Sequence, residues 1–180
     1  MKNSNNIYLI GPMGAGKSTV GRMLAKSLGM AFFDSDTEIE TCTGVDIPLI
    51  FEYEKEEGFR KREQEIIRKL CQLDDIVLAT GGGVILKQEN RDYLYRNGLV
   101  VYLKCSIERQ LERTRNDSNR PLLHTDNPRK RLVELMQTRE PLYLECADSI
   151  VDTSHRTSRA AVRNILGAYN ASLDIACSTS

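Results

Sequence analysis

Gly11-Pro12-Met13-Gly14-Ala15-Gly16-Lys17-Ser18 fits the pattern G-x-x-x-x-G-K-[ST]. A candidate strand, Asn6–Ile10, leads into it, and an amphipathic pattern, Lys17–Leu28, leads out of it. Strand, glycine loop and helix in that order are the context in which this motif binds phosphate. The glycines let successive backbone N–H groups turn inward around phosphate oxygens. The helix N-terminus adds a favourable dipole. Lys17 can reach the β- and γ-phosphates, and Ser18 can ligate Mg²⁺. The nucleotide-binding candidates are therefore Gly14, Ala15, Gly16, Lys17, Ser18 and Thr19. The loop marks a nucleotide phosphate binder without separating kinase, ATPase and GTPase.

Outward from the loop, short apolar runs alternate with amphipathic stretches. Further candidate strands are Ala31–Phe33, Ile76–Thr80, Leu99–Lys104 and Ser149–Asp152. Helical patterns cover Gly58–Leu73, Gln88–Arg96, Ser106–Arg115, Pro128–Arg139 and Thr157–Tyr169. The alternation predicts an α/β fold with a parallel sheet covered on both faces. A chain of 180 residues suits one domain. That domain is expected over residues 1–170, with the small polar tail 171–180 frayed. Asn127 before Pro128 reads as N-cap followed by N1. Ser35 and Glu38 have capping-box spacing. Thr37–Glu57 reads as an extra, mostly helical insert, and Asn116–Asn127, rich in turn formers, as a mobile loop.

Several side chains point to phosphoryl transfer. No N-K-x-D guanine-reading segment is present, and the chain is short for a motor ATPase. A small kinase needs a lid, because ATP is hydrolysed if water stays in the site. Arg120 lies in the turn-rich loop, where closure would carry it to the transferring phosphoryl group. Asp34 and Asp36 lie at the C-terminal end of the second strand, the edge where ligands gather in open α/β sheets. In an extended segment they point the same way. Helix N-capping is the blander use of this segment. The strand Ile76–Thr80 ends in Gly81-Gly82-Gly83 rather than in an aspartate, so Asp34 is the candidate for metal support. The three glycines permit close backbone approach to a ligand.

Leu132, Leu135, Met136 and Arg139 fall on one helical stripe; Phe59, Glu63, Ile66, Ile67 and Leu70 fall on another, flanked by Arg60. Two guanidinium groups thus face inward and need an anionic partner or must snorkel out. An Arg60–Glu63 ion pair and a bound carboxylate fit this spacing equally well.

The composition narrows the class. Hydrophobic residues make up 41% and charged residues 28%, which suits an ordinary globular protein. Lys plus Arg and Asp plus Glu balance at 25 each, so there is no global attraction to nucleic acid or anionic membrane. The cysteines Cys42, Cys71, Cys105, Cys146 and Cys177 form no CxxC pair, and there are only 2 histidines, which argues against a zinc site. No apolar run has the length of a signal peptide core or a membrane span, so a cytoplasmic location is expected. Nothing in the sequence demands more than a monomer.

Taken together, GPMGAGKST at 11–19, DSD at 34–36, EEGFR at 56–60, LATGGG at 78–83, RPLL at 120–123 and REPLY at 139–143 resemble the shikimate kinase family. The resemblance implies an adenylate kinase-like P-loop fold: three layers, α/β/α, around a five-stranded parallel sheet. A substrate-binding subdomain is implied at about 34–62 and a lid at about 116–127. The implied reaction is phosphoryl transfer from ATP to the 3-hydroxyl of shikimate, in aromatic amino-acid biosynthesis. By the same resemblance Arg60 and Arg139 clamp the shikimate carboxylate. Asp36 binds ring hydroxyls and acts as base, and Gly81, Gly82 and Gly83 bind substrate. Lys17 and Arg120 neutralise phosphate, Ser18 ligates Mg²⁺ with Asp34 supporting through water, and Arg113 and Arg156 flank the adenine. Competing expectations are a gluconate or nucleoside monophosphate kinase, a catalytically silent nucleotide-binding module, and a bare ATPase.

Overall fold

The computed structural model describes residues 5–115 and 125–178, with side chains as far as Ser172. Arg120 and most of the expected lid lie outside the described residues. Five strands form one parallel sheet: β1 (Asn6–Ile10), β2 (Ala31–Asp34), β3 (Ile76–Ala79), β4 (Gly98–Lys104) and β5 (Ser149–Asp152). Their spatial order is β2-β3-β1-β4-β5. β1 and β3 are buried throughout, as expected of central parallel strands covered on both faces.

Side chains alternate between the two faces. Ile7 and Leu9 join Val77, Val101, Val20, Leu24 and Ile165 in one core. Tyr8 and Ile10 join Leu78, Tyr102, Phe59, Ile67 and Tyr143 in the other. Helices α1 (Lys17–Leu28) and α7 (Ser158–Ser178) supply the first face. Helices α2 (Ser35–Thr43), α3 (Ile47–Leu70), α4 (Gln88–Asn97) and α6 (Pro128–Cys146) supply the second. Helix α5 (Ile107–Thr114) packs against α6. The strand order reverses at β1, which pairs with β3 on one side and β4 on the other. A crevice opens at the carboxyl end of such a switch point, and the glycine loop sits there. No helix among the described residues is long and apolar enough to cross a membrane.

Beyond shifts of one to three residues at element ends, four features differ from the sequence reading. Helix α6 does not stop before Pro141 but continues to Cys146. Proline removes one backbone hydrogen bond, yet Tyr143 and Cys146 beyond it are core residues, and their burial holds the last turns in place. Helix α7 continues past Tyr169 through the stretch read as a frayed tail. Asp34, not Ser35, caps α2: its carboxylate accepts the Asp36 N–H at 3.1 Å. The insert divides at Gly44, and α3 begins at Ile47 behind Asp46, whose side chain accepts the Leu49 N–H. Helix α3 then breaks at Lys55 (φ 60, ψ −173), a conformation that only glycine adopts freely and that costs about 1–3 kcal/mol.

Candidate active site

The phosphate end of the site is built from backbone. Gly16 ends the loop at φ 89, a left-handed conformation that suits glycine. Helix α1 follows with no side-chain cap and no acidic residue in its first turn, so its first N–H groups face the crevice. Lys17 Nζ donates to the carbonyls of Gly11 (2.7 Å) and Pro12 (2.8 Å) and lies across the loop. Ser18 Oγ donates to Asp34 Oδ2 at 2.5 Å, while the other oxygen of Asp34 caps α2. One carboxylate thus fastens the phosphate loop to the insert. Hydroxyl and carboxylate oxygens suit a hard cation such as Mg²⁺. Among the described residues no cluster of three or more His, Cys, Asp or Glu could hold a metal alone.

A cavity of about 660 Å³ runs over the loop and is lined by residues 13–20, Asp34, Asp36, Thr80, Gly82, Arg113 and Arg156, among others. Towards α7, Arg113 donates to the carbonyls of Gly14 (2.8 Å) and Thr153 (3.1 Å). Thr153 Oγ1 in turn donates to the carbonyls of Ala15 and Lys104, both at 3.0 Å. Arg113 therefore ties the underside of the loop to the end of β5, and Arg156 is exposed at the rim.

The opposite end is built from buried charge. Asp36 reaches the cavity from the first turn of α2. Asp34 and Asp36 share the cavity because a strand end meets a helix start, not because both are extended. The N–H of Gly81 donates to Ser35 Oγ at 2.9 Å. A Cβ on Gly81 would lie 2.7 Å from Asp36 Oδ1 and 2.9 Å from Glu63 Oε1. A Cβ on Gly83 would fall inside the Arg60 guanidinium. The Tyr143 hydroxyl donates to the Gly82 carbonyl, and its ring stacks on Tyr102 with centroids 5.0 Å apart. The glycine run thus leaves room for two carboxylates and a guanidinium against bare backbone.

Arg60 and Arg139 are both buried; Arg60 lies against Gly83, and Arg139 lies beside Tyr143. Arg60 Nη1 donates to Glu63 Oε2 at 2.8 Å; Nε and Nη2 donate to Glu56 Oε1 at 3.3 and 2.9 Å. The ion pair left open by the spacing is thus formed. Burial opposes the Arg60 charge, but Glu63 and Glu56 outweigh it and hold the guanidinium above its ordinary value. Arg139 makes no salt bridge to a carboxylate among the described residues. Burial holds it below its ordinary value; Tyr143 opposes this, and the like charge of Arg60 adds to it. Burial pushes Glu63 up to about 6, against the pull of Arg60. Two cationic groups and a buried carboxylate therefore pack together behind the cavity, with Glu63 and Asp36 both against Gly81. Guanidinium groups so placed suit a small acid.

Comparison with known proteins places the chain in a family. A protein-family model described as shikimate kinase matches residues 13–170. A shikimate kinase of Methylococcus capsulatus is 60% identical over 172 residues, covering 96% of this chain and 96% of its own. One of Thioalkalivibrio sulfidiphilus is 57% identical, covering 94% of this chain and 89% of its own. The solved shikimate kinase from Acinetobacter baumannii in complex with shikimate superposes with a TM-score of 0.92 at 48% identity, over 95% of this chain and 96% of that one. The chain belongs to the shikimate kinase family. The α/β/α architecture and phosphorylation of shikimate go with that membership.

Within a shikimate kinase, the residues singled out from sequence fall into three places. Gly14 to Thr19, Asp34, Asp36, Gly82, Arg113 and Arg156 line the cavity. Arg60, Arg139, Gly81 and Gly83 are packed behind its acceptor end. Arg120 is outside the described residues. Sequence reasoning missed Tyr143, Glu56 and the bond from Gly81 to Ser35. Tyr143 follows Arg139 by four residues and Glu56 precedes Arg60 by four, so helical spacing carried a signal for both. The contact of Gly81 with Ser35 joins segments 46 residues apart and had none.

Proposed function

We propose that this chain transfers the γ-phosphoryl group of ATP to the 3-hydroxyl of shikimate with the division of labour that follows. Arg60 and Arg139 hold the shikimate carboxylate, and the backbone of Gly81, Gly82 and Gly83 supports the ring. Asp36 binds ring hydroxyls and accepts the proton of the attacking one. The N–H groups of Gly14 to Thr19 hold the phosphates, with Lys17 moving from the loop carbonyls onto them. Arg120 joins Lys17 in neutralising the transferred group. Arg113 and Arg156 border the adenine. Ser18 holds Mg²⁺ together with the phosphates, and Asp34 holds it through water; the ion supplies charge neutralisation at the phosphates. Carboxylate anchoring fixes the acceptor hydroxyl against the γ-phosphate, which removes much of the entropic part of the barrier. We place the enzyme in the cytoplasm as a monomer; the balanced charge and lack of a long apolar run support this reading, with neither nucleic acid nor membrane as partner.

The observation that supports the reading is the buried pair Arg60 and Arg139, with Arg60 against Gly83 and the cavity-lining Asp36 against Gly81. It is tested by ADP release from ATP and Mg²⁺ with shikimate, gluconate or a nucleoside monophosphate as acceptor. Release stimulated by shikimate alone is expected. Release stimulated by another acceptor would reassign Arg60, Arg139 and Asp36, and release indifferent to acceptor would make the chain a bare ATPase.

A further inference from the structure

Arg60 is held on two sides that differ in kind. Its Nη1 side ends on Glu63, which is fully buried. Its Nε–Nη2 side ends on a single oxygen of Glu56, whose side chain is 48% exposed. An acid arriving from solvent meets the Glu56 side first. That side presents two N–H groups in the fork that a carboxylate takes, and Glu56 already takes it. Glu56 is also placed to leave. It follows directly on Lys55, where α3 breaks into a conformation foreign to lysine, so its backbone is joined to a strained hinge rather than to a continuous helix.

Charge points the same way. Arg60 and Arg139 repel each other, and burial disfavours both charges. With Glu63 and Glu56 in place, two positive groups face two negative ones. An acid that displaced Glu56 would keep that balance one for one. An acid that bound beside Glu56 would bring a third carboxylate to the pair, with Asp36 already adjoining Glu63.

We propose that Glu56 is an internal stand-in for the substrate carboxylate: it occupies the outer fork of Arg60 and must be displaced for shikimate to bind, so it weakens and thereby sets the affinity for the acid. The inference rests on the reading that Arg60 holds the shikimate carboxylate. Glu56 is a positioning residue, since it acts through Arg60 and does not touch the reacting atoms. It also screens the site, because an acid that engages Arg139 poorly cannot compete with it.

The test is shikimate affinity, by steady-state KM and by calorimetry, for wild type, Glu56→Gln and Arg60→Ala, with the uncharged primary amide of shikimate as a second probe. Glu56→Gln keeps the shape and removes the competing charge. Shikimate should bind about two- to fivefold tighter, the change that a half-exposed ion pair supports, while the amide gains nothing and the KM for ATP does not move. A residue that merely braced Arg60 would give the opposite sign. Unchanged or weaker shikimate binding in Glu56→Gln, together with a large loss in Arg60→Ala, would overturn the inference and leave the carboxylate clamp standing. Unchanged shikimate binding in Arg60→Ala would remove the clamp and the inference with it.

Discussion

The two ends of the proposed site are built by different means. At the nucleotide end the binding groups are backbone N–H donors on one continuous segment, residues 11–19, set at the start of α1. At the acceptor end they are side chains from α2, α3 and α6, gathered around Gly81–Gly83. Backbone donors suffer no ionisation and are held by the fold itself. Side-chain charges must be buried together, and each burdens its neighbours: Glu63 is pushed up, Arg139 down. The first arrangement suits phosphate. The second, on the proposed reading, suits one small acid, and its charges can be changed singly.

If the two ends are separable in this way, substitutions at the acceptor end should spare the nucleotide. The largest effect is expected from Asp36→Asn: a fall in kcat of about 10²- to 10⁴-fold with ATP affinity retained by calorimetry. A near-normal kcat would remove Asp36 from the role of base. Gly83→Ala comes next. Its Cβ would land in the Arg60 guanidinium and force it aside, so kcat/KM for shikimate should drop about 10²-fold while the KM for ATP stays put. Loss of ATP affinity in this variant would mean that the ends are mechanically joined.

The third effect is on stability. The folded pKa of Glu63 lies near 6, above the value of 4.5 expected for an unstrained glutamate. Between these values the folded state binds the extra proton, so the Glu63 contribution is lost as pH rises from 4.5 to 6. Across that window wild type should lose roughly 1 kcal/mol relative to Glu63→Gln in urea unfolding. A flat difference would mean that Arg60 fully offsets the burial of Glu63. The smallest effect is expected from Lys55→Gly, which relieves the break in α3. It should stabilise the chain by about 1 kcal/mol, against the greater freedom of glycine when unfolded. Destabilisation would show that the break is not strained.

The difference between the ends also governed what could be read from sequence. β1, the glycine loop and α1 lie within residues 6–28, and their bounds follow from local pattern alone. The acceptor end spreads from Ser35 to Tyr143 and is legible only in fragments. Arg60 and Arg139 could be placed on inward stripes, because helical period reports which face a residue is on. Which anion each would meet could not be read, since an ion pair with Glu63 and a bound carboxylate fitted the spacing of Arg60 equally well. The course of α6 past Pro141 was hidden because local preference stops a helix there, whereas the burial of Tyr143 carries it on. Tyr143 then supplies the hydroxyl that holds the Gly82 carbonyl, a contact across 61 residues.

The separation of the two ends is tested most directly by titrating Arg139→Ala with shikimate and with ATP in parallel by calorimetry. Arg139 is buried, lacks a carboxylate salt bridge among the described residues and stands beside the acceptor loop. Shikimate binding should weaken by about 2–5 kcal/mol, with ATP binding unchanged. Equal losses for both ligands would make Arg139 a structural arginine and would contradict the assignment of the carboxylate clamp.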